Sequence, residues 1–294
     1  MNPHTSTEHA RLFNADLRRW PEVLAPGSVV LSHIDGPYDL RKADWDCLTD
    51  ARKNYAGIPG EADRAVRAYL DLLELLGDRR GADLVAWYAP ILHTISEASA
   101  ASASAYLWNT DAGEALLRPV MAALGWTFRR RIVWDKVISP SILGWHGMTS
   151  WGDQTEPCGV YTLGAPAFVP TPECVNNVWR FDVSNDLRKE RLYDGAIPDR
   201  NGLWESRAQV HPCQKPLVFA DRVIRASSRS GDLVVDWFGG TCRLAVANAR
   251  LPLADRRQIV AFELDRRYLD AVAPSLSFVA APTGGQPSLF GGEQ

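Results

Sequence analysis

Cysteine is scarce and scattered in this chain. Its five cysteines, Cys47, Cys158, Cys174, Cys213 and Cys242, include no Cys-x-x-Cys pair. That argues against a disulfide framework and against a zinc site, and it suits a reducing cytoplasm. No apolar run is long enough to cross a bilayer, and residues 1–9 are polar and unlike a signal peptide. Basic charge is not in excess either. With 32 Lys and Arg against 35 Asp and Glu, the net charge is −3. A chain-wide attraction to nucleic acid is therefore absent, although a local basic cleft would not register in that sum. No internal repeat is visible. What remains, at 46% hydrophobic and 23% charged over 294 residues, is the composition of a soluble globular protein with one large α/β domain or two small ones. The 11 tryptophans fit either a core or a stacking surface.

The most informative short stretch is Asp35-Gly36-Pro37-Tyr38, which follows an apolar run at residues 29–31 that reads as a strand. An acid, two turn-forming residues and an aromatic ring at a strand end can form an ordinary surface turn. They can also form a compact site: a carboxylate and a backbone carbonyl to accept the two protons of an amine, and a flat ring to hold a base.

Along the chain, residues 8–20 are expected as a short helix ending near Pro21. Residues 39–60 read as a loop beside the Asp35 site and a candidate lid. Helical spacing predicts helices over 61–76 and 111–124. Residues 83–88 read as a buried strand, and the small-residue run 96–105 is ambiguous. Strands are expected at 128–136 and 160–163. Residues 164–210 have no sustained period and are rich in Pro, Asn, Arg and Trp, as a functional irregular segment would be.

The last third is sharper. A helix over 215–227 leads to a strand at 232–236, a glycine turn, a helix over 242–250, a strand at 259–263 and a helix over 267–272. Strand, turn, helix and strand make a βαβ unit. An acid, Glu263, ends its second strand, where it can accept both hydroxyls of a ribose. The turn is not Gly-x-Gly-x-x-Gly and no anion-cradling lysine follows it. A nucleoside-type cofactor such as S-adenosylmethionine fits better than a pyrophosphate, which counts against a dinucleotide oxidoreductase.

Five segments then stand in a telling order: Asp35-Gly36-Pro37-Tyr38, Ile132-Val133-Trp134-Asp135-Lys136, Thr155-Glu156, His211-Pro212-Cys213-Gln214-Lys215-Pro216 and Asp236-Trp237-Phe238-Gly239-Gly240. Together they resemble the amino-methylating DNA methyltransferases of bacteria and phages, in the arrangement that puts the catalytic motif first and the cofactor motif last. The resemblance covers about residues 25–275. It implies an α/β fold of the Rossmann-like S-adenosylmethionine-dependent type, a mixed, mostly parallel sheet with helices on both faces. One methyltransferase domain is expected over 1–280, with a catalytic half at about 25–163, a target-recognition insertion at about 164–210, a cofactor half at about 211–275 and a disordered tail at 281–294.

The resemblance also implies roles. Asp35, Gly36, Pro37 and Tyr38 would be catalytic. Asp236, Phe238, Gly239, Gly240, Thr241, Glu263 and Lys215 would hold S-adenosylmethionine. Arg129, Lys136, Arg180, Arg188, Lys189 and Arg191 would contact double-stranded DNA, whose target base must leave the stack. The first motif residue, Asp35, favours adenine N6 over cytosine N4. The chain departs from the family at Gly36 and Trp237, where the family has proline, at Cys242, where it has glycine, and at Thr155, where it has histidine. Gly36 and Cys242 leave open a catalytically weakened DNA-binding homologue. Pro157-Cys158 and Pro212-Cys213 raise methylation of cytosine carbon 5, but Cys213 occupies a variable position of another motif. In the tail, residues 286–290 (Gln-Pro-Ser-Leu-Phe) look like the linear motif with which bacterial replication proteins dock on the sliding clamp.

Overall fold

The computed structural model describes residues 1–39, 48–136, 154–170, 175–180 and 214–277. Nine strands among them form one sheet. In chain order they are β1 (Thr5–Ser6), β2 (Ala10–Asn14), β3 (Val29–Ile34), β4 (Ser99–Trp108), β5 (Thr127–Asp135), β6 (Thr155–Leu163), β7 (Val178–Arg180), β8 (Leu233–Asp236) and β9 (Gln258–Glu263). Across the sheet the order is β1-β2-β9-β8-β3-β4-β6-β5-β7. From β2 to β4 every pairing is parallel, and β6 runs antiparallel to both β4 and β5.

Six α-helices among the described residues cover the two faces: α1 (Ala62–Leu75), α2 (Arg79–Ala98), α3 (Asp111–Ala123), α4 (Leu217–Ser227), α5 (Arg243–Ala249) and α6 (Arg266–Ser277). The period of two along the strands decides which face each residue serves. On β4, Ala103, Ala105 and Leu107 join the cluster under α1–α3, whereas Tyr106 and Trp108 join the one under α4–α6. On β9, Val260 and Phe262 face the first cluster and Ile259 and Ala261 the second. Six tryptophans of the described residues are buried in the core, and three of them, Trp108, Trp134 and Trp179, surround Phe219 of α4 at 5.0, 4.8 and 5.3 Å between ring centroids.

The expected βαβ unit is present, with β8 and β9 parallel neighbours and α5 between them in sequence. Two expectations are corrected. Residues 8–20 are not a helix, because β2 pairs in parallel with β9 and only a 3₁₀ turn, Leu17–Glu22, follows. The short apolar pattern at 10–14 is thus a strand completed by a distant partner. Residues 83–88 are not a strand but part of α2, which starts where the Asp78 side chain accepts from the Gly81 N–H. An apolar run buried on several sides does not distinguish a strand from a helix by period. The small-residue run next to it is the strand β4, held between β3 and β6.

Between β3 and its neighbours the chain changes direction across the sheet. β3 leads to β4 on one side, and β8 and β9 lie on the other. Ligands of open α/β sheets bind at the carboxyl ends of strands at such a switch point. Asp35 follows β3, and Asp236 ends β8, with His33 of β3 in register with Asp236. The first and last thirds of the chain therefore meet at one edge of the sheet.

Candidate active site at the switch point

Asp35 is the centre of a four-residue cluster. Tyr38 Oη lies 2.7 Å from Asp35 Oδ1 and 2.7 Å from Glu156 Oε1. Lys215 Nζ is 2.9 Å from both Asp35 oxygens and 2.7 Å from Glu156 Oε1. It also donates to Tyr38 Oη at 3.1 Å. Lys136 Nζ closes the far side of Glu156 at 2.9 Å from Oε2. Each position has a structural cause. Asp35 is set by the end of β3. Glu156 reaches the same edge because β6 is antiparallel, so its first residues lie beside the ends of the parallel strands, and Glu156 pairs with Trp134. Lys215 precedes α4, and its backbone carbonyl accepts from Nε of the buried Arg243 of α5 at 3.1 Å. Burial pushes the Arg243 guanidinium down to about 9.

Two anions and two cations balance here almost out of water; the side chains of Lys215, Glu156 and Asp35 are 7%, 12% and 16% exposed. Burial works against the Lys215 charge, but Asp35 and Glu156 more than offset it and raise its pKa. Burial, then the Asp35 and Glu156 charges, drive the Tyr38 phenol well above its ordinary value, so it stays a hydroxyl. Its single proton serves one carboxylate at a time. Burial also disfavours charge on Glu156, yet Lys215 and Lys136 outweigh it and pull its pKa down to about 2. A depressed carboxylate stabilises the fold above its unfolded value, 4.5, and that contribution fades as pH falls towards about 2. Glu156→Gln is therefore expected to cost on the order of 3 kcal/mol near neutral pH. The difference from wild type should shrink towards zero between about pH 4 and pH 2, as read from denaturant unfolding at a series of pH values.

Beside this cluster lies the turn after β8. Gly239 N–H donates to Phe262 O at 2.7 Å, and Gly240 N–H donates to Glu263 Oε2 at 2.6 Å. Glu263 Oε1 accepts from the Asp265 N–H at 2.7 Å. Each oxygen of Glu263 thus has one backbone donor and capacity for another, which suits two ribose hydroxyls. Burial raises its pKa, opposed by those two N–H groups. Asp236 behaves differently. It is buried, and its Oδ1 lies 3.0 Å from His33 Nδ1, while Trp108 Nε1 donates to His33 Nε2 at 3.0 Å. The Trp108 bond makes Nε2 the acceptor, so the histidine proton sits on Nδ1 and is donated to Asp236. Phe238 is partly buried beside the first core cluster and Thr241 is buried.

The departures in this turn have local reasons. Trp237 is 1% exposed, stacks on Phe262, donates Nε1–H to Ser32 Oγ at 3.0 Å and its backbone N–H to His33 O at 3.0 Å. A proline could not make that last bond. Cys242 has φ 46° and ψ 50°, the left-handed region that favours glycine. Its side chain is fully buried within the cluster under α4–α6.

The remaining expected residues divide. Lys215, which the resemblance grouped with the cofactor, lies against Asp35 and Glu156. Lys136, grouped with DNA, is paired with Glu156 and lies 5.5 Å over the Trp134 ring. Arg129 is exposed and donates Nε–H to Thr162 Oγ1; Arg180 is exposed with Nε 3.4 Å from Asp135. Arg188, Lys189 and Arg191, most of the 164–210 insertion, and the tail lie outside the described residues. Of the candidate lid, residues 48–60 are tied down: Leu48 and Ile58 are buried, and the Arg52 N–H donates to Asp83. Cys158 is buried and unpaired, and burial raises its thiol well above the ordinary value, which disqualifies it as a nucleophile; Cys213 is outside the described residues. Among the described residues no cluster could hold a metal, and no helix is long and apolar enough to cross a membrane.

The chain is similar to known proteins. The N6/N4 DNA methylase family profile matches residues 17–274. The type II methyltransferase M1.MboII of Moraxella bovis is 23% identical over 274 residues, covering 83% of this chain and 87% of that one. M2.MboI of the same organism is 31% identical over a shorter stretch of 78 residues, 26% of this chain and 29% of its own. Among solved structures, the cytosine-N4-specific PvuII DNA methyltransferase superposes with a TM-score of 0.61 at 14% identity, over 97% of this chain and 91% of that chain. M1.HpyAVI in complex with S-adenosylmethionine gives 0.55 at 12% identity, over 91% and 98%. With the family profile spanning the Asp35 motif, the Glu156 strand and the glycine turn, the chain belongs to the N6/N4 DNA methylases, enzymes that methylate DNA from S-adenosylmethionine.

Proposed function

We propose that the chain methylates the N6 amine of adenine in double-stranded DNA, at the Asp35 cluster. The observation that carries this reading is the position of Asp35. Its carboxylate stands beside the cofactor turn, at the switch point, with both oxygens oriented by one ammonium. Asp35 accepts one amine proton and the Gly36 carbonyl the other, which turns the nitrogen lone pair out of the ring plane. The Tyr38 hydroxyl lies 2.7 Å from each of two carboxylates and donates to one of them at a time, which restricts the tilt of its ring, against which the flipped base stacks. S-adenosylmethionine, held by Glu263 and the backbone of residues 238–241, supplies a methyl group on a sulfonium. As the amine gains positive charge, Asp35 stabilises it and then takes its proton. Lys215 keeps Asp35 in place, and Glu156 keeps Lys215 in place. The buried carbonyl oxygen of Gln214, next to Lys215, has no hydrogen-bond partner among the described residues and is a further acceptor for an amine.

Arg129 and Arg180, with Arg188, Lys189 and Arg191, contact the DNA in this reading, and the insertion at 164–210 selects the sequence. The Moraxella relatives are type II methyltransferases, which supports the proposal of a restriction–modification role, placed in the cytoplasm. Mapping modified bases in DNA from cells that express the protein tests the assignment. N6-methyladenine in one sequence context supports it; N4-methylcytosine alone would reassign the target. For the tail, the Gln286 to Phe290 stretch is proposed to dock on a sliding clamp. Removing residues 281–294 should abolish clamp binding in a pull-down with purified clamp, and unchanged binding would end that idea.

A further inference from the structure

Gly36 is not required by its backbone conformation, because its φ is not in the left-handed region. What it needs is room. A Cβ at this position would lie 2.7 Å from Tyr88 Oη and 3.0 and 3.1 Å from two carbons of the Phe238 ring. The Tyr88 side chain comes from α2 and is fully buried. Trp87 lies edge-on to it at 4.8 Å and 6.1 Å from Phe238, and Asn109 Nδ2 donates to Tyr88 Oη at 3.4 Å. A rigid aromatic wall therefore fills the space that a side chain at 36 would take.

The same hydroxyl donates to the Pro37 carbonyl at 3.0 Å. That bond bears on the Gly36 carbonyl through covalent geometry. The peptide joining residues 36 and 37 is planar, and the Pro37 ring locks rotation about its N–Cα bond. With that rotation locked, the Pro37 Cα–C torsion alone separates the anchored carbonyl from the plane that contains the Gly36 carbonyl, so the bond restricts how far that plane can turn. Proline at position 36 would stiffen this turn from its upstream side; here it is held from the downstream side by a residue 51 positions later.

We propose that Tyr88 is a positioning residue for methyl transfer and that Gly36 and Tyr88 are a matched pair, the hydroxyl of one taking the place of a side chain on the other. This rests on the reading of the Gly36 carbonyl as an acceptor for the target amine. The test is a double-mutant cycle with Tyr88→Phe, Gly36→Ala and the combination. It is read as the single-turnover methyl-transfer rate on DNA, with KM for DNA, equilibrium affinity for S-adenosylmethionine and thermal midpoint measured alongside. Tyr88→Phe should slow transfer about tenfold. KM and cofactor affinity should change less than about twofold, because the cofactor turn does not touch the lost bond. Gly36→Ala should slow transfer about a hundredfold through displacement of the carbonyl. In the Tyr88→Phe background the alanine methyl gains the space of the missing hydroxyl, so the double variant should be no slower than Gly36→Ala alone. An active wild type with Tyr88→Phe at full rate, or with the two losses multiplying, would overturn the pairing while leaving the catalytic assignment intact. A folded wild type that transfers no methyl to any DNA would remove the role of Gly36 and the proposal with it.

Discussion

Asp35→Ala is expected to lower methyl transfer to DNA by at least about a thousandfold, with the affinity for S-adenosylmethionine nearly unchanged. In the proposed reading Asp35 is the carboxylate at the switch point that receives the flipped base, so its removal would take away both the acceptor that orients the amine and the base that collects its proton. The fold should survive the change. Lys215 would keep its 2.7 Å pair with Glu156, and Tyr38 its 2.7 Å bond to the same residue. None of the backbone bonds of the cofactor turn involves Asp35. The measurement is a single-turnover rate beside a cofactor titration. A rate within tenfold of wild type would place the chemistry elsewhere.

Lys215→Met has a wider effect, on stability and on pH dependence together. The wild-type ammonium is shared between two carboxylates in a nearly buried cluster. Removing one partner of a buried ion pair costs about 3–5 kcal/mol, because the other charge is left without compensation. The cluster should respond by taking up a proton. In wild type, Glu156 is held down to about 2 jointly by Lys215 and Lys136; with Lys136 alone, its pKa moves upwards. The sign for stability follows. The deficit of the variant relative to wild type should be largest near neutral pH and shrink as pH falls below about 4 and Glu156 takes up its proton. Cofactor affinity should barely change if Lys215 serves Asp35, and should collapse if it serves the cofactor, so the same variant decides between the two assignments for this residue.

The parts of this architecture that were legible in sequence are those with a local signature. The β8–turn–α5–β9 unit is announced by a change of hydrophobic period around glycines, with Glu263 at a strand tip. The Asp35 turn is announced by an apolar run ending in turn residues. What was not legible depends on partners far away in the chain. Lys215 meets Asp35 across 180 residues, and nothing local to either predicts the pairing. Glu156 enters the site only because β6 runs antiparallel, a fact of sheet order. The strand at 10–14 needs β9 to complete it. Residues 83–88 are apolar enough for either kind of element, and reading them as a strand concealed Tyr88 on a helix facing Gly36. Conversely, Cys242 and Trp237 looked like losses at the cofactor turn. The surrounding core accounts for both side chains, although the left-handed backbone at Cys242 remains a conformation that costs about 1–2 kcal/mol outside glycine.

The most direct measurement is the fate of a labelled methyl group. Purified protein, duplex DNA and S-adenosylmethionine labelled in the methyl are incubated, the DNA is digested to nucleosides, and the label is identified. Label in N6-methyladenine with wild type, and none with an Asp35→Ala protein that still binds S-adenosylmethionine, is the result expected here. Label in 5-methylcytosine, or label in any base that persists undiminished in Asp35→Ala, would contradict it.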